Sequence, residues 1–265
     1  MASLTPLEIY KALPKTNCRE CGIPSCMAFA AAVIKEEKGL KDCPYLDKAR
    51  IDDFEKKLDA RESFEKSQEE TLRDLKEKMS ALDFASRADI VGGVSDGESI
   101  SIKCLGKDFT IDARGNIASE CHTHAWFAIP LLSYIINGGG KNPAGKWVPL
   151  RELDGGAAWY GLFGQRCEKP LKSIADTHVE LFEDLIGMFS GAYTANDMKA
   201  DISVVLYPFP KVPILICYWK PEDGMESQLH IFYDSTASEN LGIESAYLMG
   251  AGIASMVEKI MQNHR

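Results

Sequence analysis

No apolar run in this 265-residue sequence approaches the roughly eighteen residues that a membrane-spanning helix needs. Basic residues do not cluster: 30 Lys and Arg stand against 39 Asp and Glu, a formal net charge of −9. Phosphate neutralisation dominates nucleic-acid affinity, so neither a nucleic acid nor a membrane is an expected partner. No signal-peptide pattern opens the sequence, and the expectation is a cytoplasmic chain without structural disulfides. Internal repeats are absent. So is any glycine pattern of the Walker or dinucleotide kind: Gly138–Gly140 and Gly155–Gly156 read as turns, and Gly250 and Gly252 as close-packing positions within a helix. No catalytic triad, acid/base pair or substrate-reading motif stands out, so the sequence by itself does not decide whether the protein is an enzyme. Proteins and small molecules are left as partners.

Cysteine is scarce, eight in all, yet half of it falls within one short segment. Cys18, Cys21 and Cys26 lie on a single tight loop with Gly22 and Pro24, and Cys43-Pro44 comes after sixteen residues. Three thiolates from one loop and a fourth from a remote segment is the usual ligand pattern of an iron–sulfur cluster. The intervening sixteen residues suit one helix that brings the fourth ligand back beside the others. Zinc is the main rival, although its four-cysteine sites generally pair two short hooks. A loop of free thiols is the plainer alternative. Cys104, Cys121, Cys167 and Cys217 are scattered singly and read as small buried hydrophobes.

The flanks support a compact module. Thr5-Pro6-Leu7-Glu8 is a capping box with proline at the first helical position, and Pro14 ends that helix before the cysteine loop. A second helix is expected from about Ser25 to Lys38, with Gly39 as its stop. Two such helices are too small for a core of their own, so bound metal is expected to contribute to folding. Residues 5–50, including Pro-Lys-Thr-Asn-Cys-Arg-Glu-Cys-Gly-Ile-Pro-Ser-Cys-Met-Ala-Phe-Ala and Asp-Cys-Pro-Tyr-Leu, closely resemble the N-terminal cluster domain of the corrinoid iron–sulfur protein large subunit and of the equivalent subunit of acetyl-CoA decarbonylase/synthase. In that family the domain carries one low-potential [4Fe-4S] cluster, which reduces the corrinoid cobalt after its oxidation to the inactive state. The resemblance implies that Cys18, Cys21, Cys26 and Cys43 are the metal ligands. It covers less than a fifth of the chain, and the family's barrel and cobalamin-binding domain have no counterpart in the rest of the sequence.

From Leu46 to Leu82 charge of both signs is dense and apolar positions recur at helical spacing, which predicts a long helix broken once near Ser67. Beyond residue 86 the period changes to two. Glu98–Leu105 and Asp108–Asp112 read as a hairpin and Trp147–Leu150 as a short strand, while Asp201–Tyr207, Pro213–Trp219 and Gln228–Tyr233 read as three strong strands. Helices are expected over 123–137, 167–189 and 243–262. The reading is an α+β protein: a small helical [4Fe-4S] domain at 1–50, a charged helical linker at 51–86, and a mixed domain at 87–265 with an antiparallel sheet and packed helices. That mixed domain looks like an uncharacterised family often fused to this cluster module in anaerobes.

Within it, Cys121-His122-Thr123-His124-Ala125-Trp126-Phe127 is the most chemically suggestive string. His122 or His124 would suit an axial ligand to the metal of a tetrapyrrole, a corrinoid (cobalamin) or haem, with Trp126 as an apolar wall. Packing or capping at a helix entry is the plainer reading. Cys121 beside His122 lacks an oxyanion donor, which argues against a nucleophile. The sequence thus leads to a one-electron carrier in anaerobic corrinoid or one-carbon metabolism, whose partner is a redox protein or a corrinoid protein. The alternative is a protein whose C-terminal domain holds the tetrapyrrole while its own cluster keeps it reduced.

Overall fold

A computed structural model describes residues 5–263 apart from 36, 122, 195–197 and 223, and apart from the side chains of 59–65 and 262–263. The chain forms two compact units, Met1–Glu70 and Thr71–Arg265. The protein is of the α+β class, and every strand pair is antiparallel.

In the first unit, helix α1 (Pro6–Ala12) begins with the expected capping box between Thr5 and Glu8. Helix α2 (Cys26–Ile34) starts at Ser25, whose hydroxyl accepts the Ala28 N–H at 3.1 Å. It stops at Ile34, short of the expected Lys38. Helix α3 (Lys48–Met79) comes after a 3-10 turn at Leu40–Asp42. Contrary to expectation, α3 runs through Ser67 without a break. Its sequence is built from strong helix formers, among which one serine costs only a few tenths of a kcal/mol. The first unit does have a core: Ile9, Phe29, Val33 and Leu40 pack with Ile51 and Phe54 of α3. The opening turns of the charged segment thereby supply apolar surface that two short helices lack.

The second unit takes Leu75 and Met79 of α3 into its own core. Helix α4 (Phe84–Val91) leads to a meander of β1 (Val94–Ser95), β2 (Ser99–Cys104), β3 (Lys107–Asp112) and β4 (Ile117–Ala118), paired in that order. Ile100, Ile102 and Cys104 point inward by simple alternation. The β2–β3 turn is Leu105-Gly106, with φ of 48° and 74°, and positive φ at both central residues matches the right-handed twist of a hairpin. A side-chain carbon on Gly106 would also collide with Ser190. The Leu105 N–H donates to the Tyr207 carbonyl at 2.8 Å.

Helix α5 (Ala125–Asn137) is closed by Arg87, which donates to the carbonyls of Ile135 and Gly138 at 2.7 and 2.8 Å. Strand β5 (Trp147–Pro149) precedes α6 (Tyr160–Phe163), a π-helical turn at Gly164–Glu168, α7 (Lys169–Ala175) and α8 (Leu181–Phe189). The single helix expected over 167–189 is therefore two. Thr177 turns its hydroxyl back onto the carbonyls of Ser173 and Ile174, competing with the ladder, and Val179 is left exposed.

Strands β6 (Ala192–Tyr193), β7 (Ile202–Phe209), β8 (Val212–Trp219) and β9 (Gln228–Asp234) complete a sheet of order β5-β9-β8-β7-β6. Central strand β8 is buried on both faces, as its apolar run requires, and β7 is buried along most of its length with Tyr207 exposed. A short helix α9 (Ala237–Asn240) precedes α10 (Ile243–Asn263). The α10 glycines are close-packing positions: a side-chain carbon on Gly250 would strike Phe163, and one on Gly252 would press on Trp126 of α5. Among the described residues no helix is long and apolar enough to cross a membrane.

Candidate metal centre

The cysteine loop between α1 and α2 has an unusual backbone. Lys15, Asn17, Arg19 and Gly22 all take positive φ, at 61°, 52°, 67° and 77°. Positive φ at these positions keeps the segment in tight turns and out of regular helix or strand. Asn, more tolerant of this conformation than most residues, also uses its side chain: Asn17 Oδ1 accepts the Cys26 N–H at 2.8 Å. Cys26 is the first residue of α2. Cys43 directly succeeds the 3-10 turn, where the Asp42 carboxylate accepts the Gly39 N–H at 3.0 Å. The Tyr45 hydroxyl donates to Glu20 at 2.8 Å, joining the Cys43 limb to the Cys18–Cys21 limb. That carboxylate holds the Tyr45 phenol above its ordinary pKa.

The outcome is that Cys18, Cys21, Cys26 and Cys43 border one concavity, backed by Leu13 and Phe29. Cys26 and Cys43 are buried, Cys21 is half-buried and Cys18 is exposed. Among the described residues no group of three or more His, Cys, Asp or Glu side chains is drawn together as a single metal ion would require. The enclosed space is about 10 Å³, on the order of one water probe. A cluster of several irons needs more, and the exposed Cys18–Cys21 limb is the side with least packing to hold it shut. Four thiols, three of them on one tightly turning loop, make a donor set suited to a multi-iron cluster.

The second unit holds a larger cavity, about 540 Å³. It lies among the β2–β3 hairpin, the start of α5 and the last turns of α10, and it brings together His124, Trp126 and Phe127 with Lys107, Ser255 and Lys259. His124 is the N-cap of α5, yet its imidazole makes no capping hydrogen bond. The capping reading of this histidine therefore does not hold. Phe127 stacks obliquely on Phe109 with ring centres 4.7 Å apart, which fixes one wall. His122 lies outside the described residues. Cys104, Cys167 and Cys217 are buried as expected, and burial pushes the thiols of Cys104 and Cys167 well up. Cys121 departs from that expectation and is exposed, at the edge of this cavity.

A family model described as "Domain of unknown function (DUF3786)" matches residues 83–256, more than half of the chain. The chain belongs to the DUF3786 family. The large cavity and its histidine therefore lie within the DUF3786 domain. Ahead of that domain, a second model described as "Putative Fe-S cluster" matches residues 13–45, a span holding all four loop cysteines. Curated relatives match over about a fifth of the chain. The acetyl-CoA decarbonylase/synthase complex subunit gamma of Methanocaldococcus jannaschii is 44% identical over 55 residues, which is 21% of this chain and 11% of the relative. Subunit gamma 2 of that complex from Methanosarcina mazei is 54% identical over 54 residues, 20% of this chain and 11% of the relative. The corrinoid/iron-sulfur protein large subunit of Moorella thermoacetica is 54% identical over 46 residues, 17% of this chain and 10% of the relative. The chain thus spans about a tenth of the length of the curated relatives it matches. No solved structure matches it.

Asn17, the Tyr45–Glu20 pair, Lys107 and Lys259 carry no mark in the sequence that singles them out, with one exception. Asn17 has a local signal, an asparagine next to a ligand cysteine in a loop without regular structure.

Proposed function

We propose that this DUF3786 protein carries single electrons through a [4Fe-4S] cluster on Cys18, Cys21, Cys26 and Cys43, and that its task is the reductive activation of a corrinoid in anaerobic one-carbon metabolism. The supporting observation is the convergence of the four thiols on one concavity of a tightly turning loop, in a segment similar to a relative whose name denotes a corrinoid/iron-sulfur protein. Bound there, the cluster would supply one-electron redox chemistry. The chain's own part is to hold four thiolates and shield Cys26 and Cys43 while leaving the Cys18 side open to a partner. Potential is set in part by such exposure. In this reading residues 1–50 are the electron-carrying domain, 51–86 the charged helical linker and 87–265 the α+β domain beyond it, in a cytoplasmic protein that docks with a redox or corrinoid protein. The test is anaerobic reconstitution, iron and sulfide analysis, and then mixing of the dithionite-reduced, desalted protein with a cob(II)alamin-bearing corrinoid protein. Cobalt reduction in step with cluster oxidation is the expected result. A cluster that is loaded and reduced yet inert towards cobalt would refute this role.

A second reading is that the DUF3786 domain itself holds a tetrapyrrole, corrinoid or haem. What favours it is the placement of His124, with no capping bond, and Trp126 on the wall of one mainly apolar cavity. Hydroxocobalamin or haemin retained through gel filtration, with bands altered in His124→Ala, is the result expected of it.

A further inference from the structure

The DUF3786 cavity has a charge pattern as well as a shape. Its volume, about 540 Å³, lies in the range of small-molecule sites. The walls are apolar, from Trp126, Phe127, Phe189 and the α10 residues Met249, Ile253 and Met256. Two lysines, Lys107 from the hairpin and Lys259 from the end of α10, border it together with His124, and none of its lining residues is Asp or Glu. The chain as a whole has nine more acidic than basic residues, so this composition runs against the average of the surface. Neither lysine is joined to a carboxylate among the described residues. Both lysines are exposed and solvated; a ligand with an apolar body and an anionic end sets the first in the chamber and the second beside these cations.

We infer that the DUF3786 cavity binds an amphipathic organic anion, an apolar ring or acyl body carrying a carboxylate that Lys107 and Lys259 recognise. The inference is independent of the cluster and deepens the second reading above by naming the charge of the ligand. Carboxylate-fringed porphyrins and acyl or aromatic acids share this chemistry. An amide-fringed corrinoid does not.

The experiment uses the full-length protein and two fluorescent probes of similar body. One is the anionic 8-anilino-1-naphthalenesulfonate, the other the uncharged N-phenyl-1-naphthylamine. The anionic probe should bind once per chain, be displaced by dodecanoate or haemin, and lose about tenfold in affinity in a Lys107→Ala/Lys259→Ala variant. Affinity for the uncharged probe should be the same in both proteins. Displacement by haemin with a Soret band that shifts in His124→Ala assigns the porphyrin source, and displacement by dodecanoate alone assigns the acyl one. Unchanged affinity for the anionic probe in the lysine variant, or no binding of either probe to a protein that melts cooperatively, overturns the inference. Retention of hydroxocobalamin bears on the second reading only, so the two can fail separately.

Discussion

Asn17 Oδ1 accepts the Cys26 N–H at 2.8 Å, so one side chain closes the cysteine loop onto the first residue of α2 while its own backbone sits at a φ of 52°. Two effects share that position and can be separated. Asn17→Ala removes the bond, about 1 kcal/mol, and places a residue ill suited to positive φ, roughly another 1 kcal/mol. Asn17→Gly removes only the bond. Iron release to a chelator under anaerobic conditions should be fastest for Ala, intermediate for Gly and slowest for the parent. Equal rates for all three would show that this bond does not hold the loop.

The buried ligands should matter more for integrity than the exposed one. Cys26→Ala and Cys43→Ala are expected to abolish the broad visible absorption and loosen the first unit, because both residues belong to its core. The four tryptophans all lie between residues 126 and 219, so their fluorescence reports on the second unit alone. Its melting profile should be unchanged in both variants. A Cys43→Ala protein that still binds iron with an unaltered spectrum would remove Cys43 from the ligand set.

What was legible in the sequence was what is local. The hairpin of β2 and β3, the strands β7 to β9 and the cap of α1 each follow from period or spacing within a dozen residues, and so do the three cysteines of the loop, with Cys43 one helix-length away. Features that depend on distant partners were not legible. The split between α7 and α8 arises from Thr177 bonding to its own preceding turn, in a stretch whose apolar stripe nonetheless reads as one helix. Division of the charged helix between two cores is hidden because Ile51 and Phe54 look no different from Leu75 and Met79. The DUF3786 cavity assembles Lys107, His124 and Lys259 from three separate elements, and nothing near any one of them announces the others.

Asp234 is fully buried at the end of β9 and accepts four hydrogen bonds, from the N–H groups of Ala144, Gly145 and Thr236 and from the Thr236 hydroxyl, at 2.7 to 3.0 Å. Burial pushes its carboxyl up, but the hydrogen bonds outweigh burial and hold the pKa below its ordinary value. A depressed pKa contributes stability above the unfolded-state value, near pH 4, and that contribution is lost as pH falls through the folded value. Asp234→Asn should therefore cost about 2 to 3 kcal/mol at neutral pH, read from urea unfolding followed by tryptophan fluorescence. The gap from the parent should narrow below about pH 4. A deficit that stays constant down to about pH 3 would mean that lost packing, and not lost charge, is responsible.

His230 gives the opposite pH dependence. Its Nδ1 lies 3.3 Å from Glu168, a carboxylate in the π-helical turn that also accepts the Ile231 N–H at 3.1 Å. The hydrogen bond to Glu168 raises the His230 pKa above 6.5, with burial opposing. A raised pKa contributes stability that is complete below the unfolded value, about 6.5, and is lost as pH rises through the folded value. The ring is more than a third exposed, so solvent screening keeps the contribution to a fraction of about 1 kcal/mol. His230→Gln should thus be less stable than the parent at about pH 5.5 and indistinguishable from it at about pH 9. Glu168→Gln should abolish that pH-dependent difference while carrying a constant deficit, because the amide can still accept the Ile231 N–H but no longer attracts an imidazolium. Parallel stability curves for parent and His230→Gln across this range would show that His230 is not charged through Glu168 at any pH in it.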